Sequence, residues 1–261
     1  MSPALADWRA DLAVMGAMVR RGFNELVRVP GGAIPGIVAP SIFMLGLTAV
    51  FGDLSRLPGF TADGFLSFLV PISLLQAAGF SGAAMGVNLA RDIELGWFDR
   101  MLVSRVPRTV LLGGLLVSAS LRALLPITVA LAIAFPLGAA FPGVDGLLIA
   151  VGVVLGFAAA VAAWSVILAL RFQTQAAAPL MQASVFVAVL FTTSYAPEEL
   201  LTGWLREVAR YNPVTQVVET VRQGFVGGVS WSDTWPGLLV VAALGAALAA
   251  FALRALTRLG R

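Results

Sequence analysis

Apolar residues run through this chain in long, nearly uninterrupted stretches, and arginines gather at the ends of those stretches. A bilayer crossing needs about 20 predominantly apolar residues to cover roughly 30 Å of hydrocarbon. The windows that meet this requirement are Gly32–Phe51, Phe65–Leu89, Val110–Leu137, Gly146–Leu170, Ala176–Thr193 and Pro236–Leu256. They predict an all-α integral membrane protein with six transmembrane helices.

A different period precedes the first window. Leu5, Trp8, Leu12, Met15, Val19, Phe23 and Leu26 recur at three- and four-residue steps, while Asp7, Asp11, Arg20 and Arg21 fall elsewhere. That pattern predicts an amphipathic helix over Ala4–Arg28, lying in the membrane interface. The chain thus divides into residues 1–30, the interfacial helix, and residues 31–261, the six-span domain. Within the latter, residues 91–108 form a polar loop between the second and third spans. Residues 195–230 lie in the longest segment between two spans.

Composition supports a membrane setting. Hydrophobic residues make up 59% and charged residues 12% of the chain, where a soluble domain carries about 25% charged residues. Cys and His are both absent. Thiol nucleophiles, disulfides, Cys/His metal centres and histidine bases are therefore excluded, and no metal site is expected. The net charge of +3 does not point to nucleic acid, because the arginines form no single stripe. The first 30 residues contain no short apolar core, so no cleavable leader is expected.

Charge placement predicts orientation. With a cytoplasmic N-terminus, the inner segments hold Arg9, Arg20, Arg21, Arg28, Arg91, Arg100, Arg105, Arg108, Arg171, Arg254, Arg258 and Arg261. The outer segments hold only Arg56, Arg206, Arg210 and Arg222. This bias is the positive-inside pattern, with both termini in the cytoplasm.

The loop Arg91–Arg108 is more than a polar connection. Glu94 and Asp99 flank Gly96, Trp97 and Phe98; Trp97, Met101 and Leu102 share a face of a short helix that Pro107 ends. An aromatic knob ringed by charge suits a groove on a partner; a hairpin packed on its own domain accounts for it equally. In the outer segment, Tyr211, Asn212, Pro213, Val214 and Thr215 are followed by Glu219, Thr220, Val221 and Arg222.

These two motifs, in this order, resemble the permease chains of type-2 ABC transporters, with the drug- and antibiotic-resistance branch most similar. In the loop, Glu94, Gly96, Phe98, Asp99, Met101, Leu102, Ser104, Val106, Pro107 and Arg108 match. Arg105 and Val106 separate Ser104 from Pro107, where many members place the proline sooner. The resemblance implies that the chain is no enzyme itself. It implies a coupling helix, with Glu94, Gly96, Trp97, Phe98, Asp99, Arg100, Met101 and Leu102 seated on an ABC nucleotide-binding subunit present in two copies. That subunit, not this chain, would bind ATP and Mg. A second permease chain, identical or related, would complete the pathway. The outer segment would form re-entrant helices between the fifth and sixth spans, with Tyr195, Trp204, Tyr211, Asn212, Pro213 and Thr215 at an extracellular gate. The sequence agrees on one point: no G-x-x-x-x-G-K-[ST] phosphate loop occurs, and there is no Lys to complete one.

Further residues bear on a pathway. Arg122 inside the third span either lines a cavity or snorkels to the interface. Gln182, and the run Thr192, Thr193, Ser194, Tyr195, either line an exit or mark span ends. Glu207 with Arg210, and Glu219 with Arg222, are spaced i, i+3 for ion pairs rather than catalysis. Gly82-x-x-x-Gly86 and Gly152-x-x-x-Gly156 permit close helix packing. The spans offer almost no carboxylates to bind sodium or relay protons, so an ATP-driven exporter of an amphipathic drug or lipid is expected over an ion-driven carrier. A wall-polymer permease of the same superfamily is the other alternative; an aromatic-lined channel would favour it, and the chain has only six Trp and two Tyr.

Overall fold

The computed structural model describes residues 3–28, 30–56, 64–103 and 106–258. Ser104, Arg105 and Arg261 of the motifs above lie outside the described residues, as do the side chains of Leu5, Asp7, Leu26, Arg28 and Arg56. Among the described residues the structure is helical, without strands.

The predicted interfacial helix is α1, Pro3–Arg28. Next come α2 (Pro30–Phe51), α3 (Phe65–Glu94), the short α4 (Trp97–Val103), α5 (Arg108–Ala134) and α6 (Gly143–Phe172). A 3-10 turn leads into α7 (Ala178–Leu190). The chain closes with α8 (Trp204–Tyr211), α9 (Pro213–Val226) and α10 (Trp231–Arg258). Four helices, α3, α5, α6 and α10, have both the length and the apolarity to cross a bilayer. The other two predicted spans appear as shorter apolar stretches, Gly36–Phe51 in α2 and Gln175–Leu190 around α7.

The fifth window is shorter than its sequence predicts because its own hydroxyls end it. Thr192 Oγ1 and Ser194 Oγ donate to the Val189 carbonyl, at 2.7 and 2.5 Å. These bonds occupy a carbonyl that a continued helix would use.

Helix α3 is the axis of the fold, buried along most of its length and packed by α2, α5, α6 and α7. Small residues allow this. A Cβ on Gly82 would lie 2.6 Å from the Ala158 carbonyl of α6, and one on Gly86 would lie 2.5 Å from the Ser165 carbonyl. The Gly82-x-x-x-Gly86 pair therefore serves contact within the chain. In the second pair only Gly156 meets a neighbour, Val241 of α10; Gly152 faces open space.

Glu94 at the end of α3 meets Thr174 and Gln175, which follow α6. Ser67 at the start of α3 accepts from the Ala140 amide, which precedes α6. So α3 and α6 run parallel. The turns after α3, after α6 and before α5 share one end of the molecule with Arg91, Arg100, Arg108 and Arg171. Helices α8 and α9 sit at the opposite, far end.

Candidate functional site

Two constructions stand out, one at each end. At the arginine-rich end, Gly96 takes a φ of 69°, the left-handed conformation that glycine adopts without cost. This reverses the chain so that α4 folds back under α3. Phe98 is then buried against the domain's own core, 2% exposed. Trp97 points the other way, 55% exposed, with the Arg100 guanidinium 5.0 Å from its ring centroid. Leu95 and Val103 are exposed beside it, and Met101 and Leu102 pack partly against the core. The sequence reading placed Trp97 and Phe98 together on a docking surface. The structure separates them: Phe98 anchors the loop, and Trp97, Arg100, Leu95 and Val103 form its outward face.

Glu94 is also engaged internally. It accepts from Thr174 Oγ1 at 2.6 Å, the Gln175 amide at 3.0 Å and Gln175 Nε2 at 2.8 Å. It thereby fixes the α3–α4 turn to the α6–α7 turn.

At the far end, Asn212 joins two helices. Its side-chain oxygen accepts from the Val214 amide, an N-cap for α9, with Pro213 at the first helical position. Its side-chain nitrogen donates to the Ala188 and Phe191 carbonyls, both at 2.8 Å. One residue thus caps the start of α9 and covers carbonyls at the end of α7. Thr215 Oγ1 donates to the Ala209 carbonyl at 2.6 Å, closing the α8–α9 corner. Trp204 meets the Phe191 ring edge-on at 5.7 Å. Tyr211 is exposed, whereas the Tyr195 hydroxyl accepts from Gln76 Nε2 of α3 at 3.2 Å.

Behind this corner lies an ion pair with a buried arginine and a partly exposed carboxylate. Arg222 of α9, 4% exposed, donates from Nη1 to Glu219 at 2.7 Å and from Nη2 to the Thr193 carbonyl at 2.7 Å. Thr193 Oγ1 also bonds the Glu219 carboxylate. The guanidinium covers the Phe68 ring, 3.8 Å from its centroid. The group forms part of the wall of a cavity of about 880 Å³ between the start of α3, the α7–α8 connection, α9 and the start of α10. Glu198, Glu199 and Asp233 also line it.

The residues weighed for a pathway separate as well. Thr192 and Thr193 are buried; Thr193 borders the far-end cavity and Thr192 only ends α7. Gln182 is half-buried on α7. Arg122 does not border the large cavity: it is 5% exposed and lies 3.7 Å from Glu25 of α1.

The profile of the ABC-2 type transporter family matches residues 14–226 of this chain. The chain belongs to the ABC-2 type transporter family. The matched region runs from within α1 to the end of α9, so this ABC-2 chain carries both constructions inside the family's shared length. Among its relatives is a protein named "Probable doxorubicin resistance ABC transporter permease protein DrrC", found in two strains of Mycobacterium tuberculosis. It is 29% identical over 201 residues, covering 75% of this chain and 70% of the relative. A transport permease named ycf38, from Cyanophora paradoxa, is 24% identical over 210 residues, 78% of this chain and 71% of the relative. This ABC-2 chain is thus a multi-pass membrane permease of an ABC transport system, a subunit that associates with an ABC ATP-binding subunit.

Several polar contacts between helices were not predicted from the sequence. Arg21 with Asp92, and Glu25 with Asn88 and Arg122, lie far apart in the chain. The signal available was a polar pair one helical turn apart on each of α1, α3 and α5. Glu219 with Arg222 was expected from its spacing, and the pair is formed at 2.7 Å. Among the described residues no ion pair joins Glu207 to Arg210, the other expected pair; Arg206, for which no partner was expected, lies 3.8 Å from Glu198.

Proposed function

We propose that this chain is the transmembrane subunit of an ABC exporter that moves an amphipathic drug or lipid-like molecule outward. ATP and Mg are bound by the partner subunit, in two copies, and a second permease chain, identical or related, completes the pathway. The observation that carries this reading is the α4 loop: an aromatic–cation pair, Trp97 and Arg100, held outward by a buried Phe98. A loop that needed only to connect two spans has no use for an exposed tryptophan on a rigid anchor. A surface that must receive a mechanical stroke has use for both.

In this reading α2, α3, α5, α6, α7 and α10 cross the membrane, α1 lies in its inner interface, and α8–α9 re-enter from outside. The arginine-rich end is cytoplasmic by the positive-inside rule. Trp204, Tyr211, Trp231 and Trp235 are all exposed at the far end, the position of an interfacial aromatic belt. Among the described residues the buried charged side chains are arginines, with no buried carboxylate. That supports an ATP-driven mechanism over sodium or proton coupling. The exposed walls of α5, α6 and α10 are apolar, which favours partition of amphipathic cargo.

Co-purification with the ABC ATP-binding subunit tests the reading. Trp97→Asp should abolish both the association and the stimulation of ATP hydrolysis, while the chain remains folded in detergent. Retention of both would overturn the assignment of this face. Uptake by proteoliposomes containing the chain alone, without ATP, would overturn the exporter reading as a whole.

A further inference from the structure

Three helices meet at the arginine-rich end, and each presents two polar groups one turn apart. They are Arg21 and Glu25 on α1, Asn88 and Asp92 on α3, and Ser118 and Arg122 on α5. Arg21 Nη2 donates to both carboxylate oxygens of Asp92 at 2.6 Å. Asn88 Nδ2 donates to Glu25 at 2.9 Å. Arg122 faces the same Glu25 at 3.7 Å, and Ser118 Oγ reaches the Met18 carbonyl at 3.5 Å.

Close backbone approach reinforces these links. A Cβ on Gly22 would lie 3.7 Å from that of Ser118, and one on Gly114 would lie 3.3 Å from that of Met18. A void of about 30 Å³ at the junction is bordered by Arg122, whose Nε and Nη1 have no hydrogen-bond partner among the described residues. Its size and polarity suit water.

Surface anchorage of an amphipathic helix needs none of this. Lipid and headgroups alone would hold α1. The ladder instead ends at Asp92, two residues before Glu94 and the α4 turn. We infer that Arg21, Glu25, Asn88, Asp92 and Arg122 are positioning residues that join α1, the last third of α3 and the middle of α5 into one rigid body. A displacement of α4 by the ATP-binding subunit then reaches α1 without slip. The inference rests on the docking role of α4 proposed above.

The absence of cysteine makes the test direct. Gly22→Cys with Ser118→Cys places two Cβ atoms at a separation within the disulfide range of about 3.5–4.5 Å. The complex with its ATP-binding subunit is reconstituted in liposomes, and ATP hydrolysis is measured before and after oxidation. The disulfide should form and leave stimulated hydrolysis unchanged, because a body that moves as one loses nothing when locked. Separately, Arg21→Asp and Asp92→Arg should each lose most of the stimulation while co-purification persists, and the two together should restore it. No disulfide, hydrolysis lost on oxidation and regained on reduction, single reversals that behave as the unmodified chain, or a double reversal without rescue would each overturn the inference. An unmodified chain that never stimulates hydrolysis would show the docking reading itself to be wrong, and the inference falls with it.

Discussion

Arg222 of α9 donates to the main-chain carbonyl of Thr193, across the connection that follows α7. Its other nitrogen holds Glu219 one turn back on its own helix. The pair is a link between two elements, in which Glu219 neutralises the cation and Thr193 receives its direction.

Arg222→Met should therefore destabilise the chain by about 1–3 kcal/mol, the loss of charged hydrogen bonds to Glu219 and Thr193, since the Glu219 carboxylate left behind is partly exposed and stays hydrated. Arg222→Lys should recover only part of that, since an ammonium lacks the planar fork that meets Glu219 and Thr193 together. Thermal unfolding in detergent measures both.

Gly82→Leu should prevent proper assembly of the bundle. Its Cβ meets the Ala158 carbonyl at 2.6 Å and Val161 Cβ at 2.9 Å, and overpacking of this kind costs about 1–3 kcal/mol or more when backbone is what must move. Gly152→Ala should be neutral or slightly stabilising, because nothing lies within 4 Å of the added carbon. Expression level and unfolding temperature should fall for Gly82→Leu and stay level or rise slightly for Gly152→Ala.

Phe98 and Trp97 should respond differently to the same change. Phe98→Ala removes a buried ring and should cost about 3–5 kcal/mol of stability. Trp97→Ala should leave the unfolding temperature nearly unchanged and weaken only the association with the ATP-binding subunit. Unfolding and co-purification, measured on both, separate the anchor from the docking face.

Asn212→Asp keeps the cap on α9 and loses the two donations to α7. Asn212→Ala loses all three. The aspartate variant should be destabilised at least as much as the alanine variant, because its carboxylate sets a charged acceptor against the Ala188 and Phe191 carbonyls. The alanine variant should lose about 2 kcal/mol, the sum expected from a cap and two modest hydrogen bonds.

Helix positions were legible in the sequence because lipid demands length and apolarity together, a one-dimensional constraint. The second, fourth and sixth windows match α3, α6 and α10 closely, and the N-terminal period matches α1. The close approach at Gly82 and Gly86 was also legible, since small residues one turn apart leave a groove on any helix. The pairing of Glu219 with Arg222 followed from local spacing. The end of α7 did not: hydroxyl side chains that bond back to Val189 are indistinguishable in sequence from hydroxyls that continue a span.

What the sequence by itself determined was which segments leave water and in what order, because hydration energy depends on each residue's own chemistry. Only the tertiary structure decided which polar groups on different helices meet. It turned Phe98 inward and Trp97 outward through one left-handed glycine. It brought Arg122 to Glu25 and Arg21 to Asp92 across some 70 to 100 residues of chain. A charge such as Arg122, whose partner lies on another helix, finds it in three dimensions, and the distance along the chain carries no record of that choice.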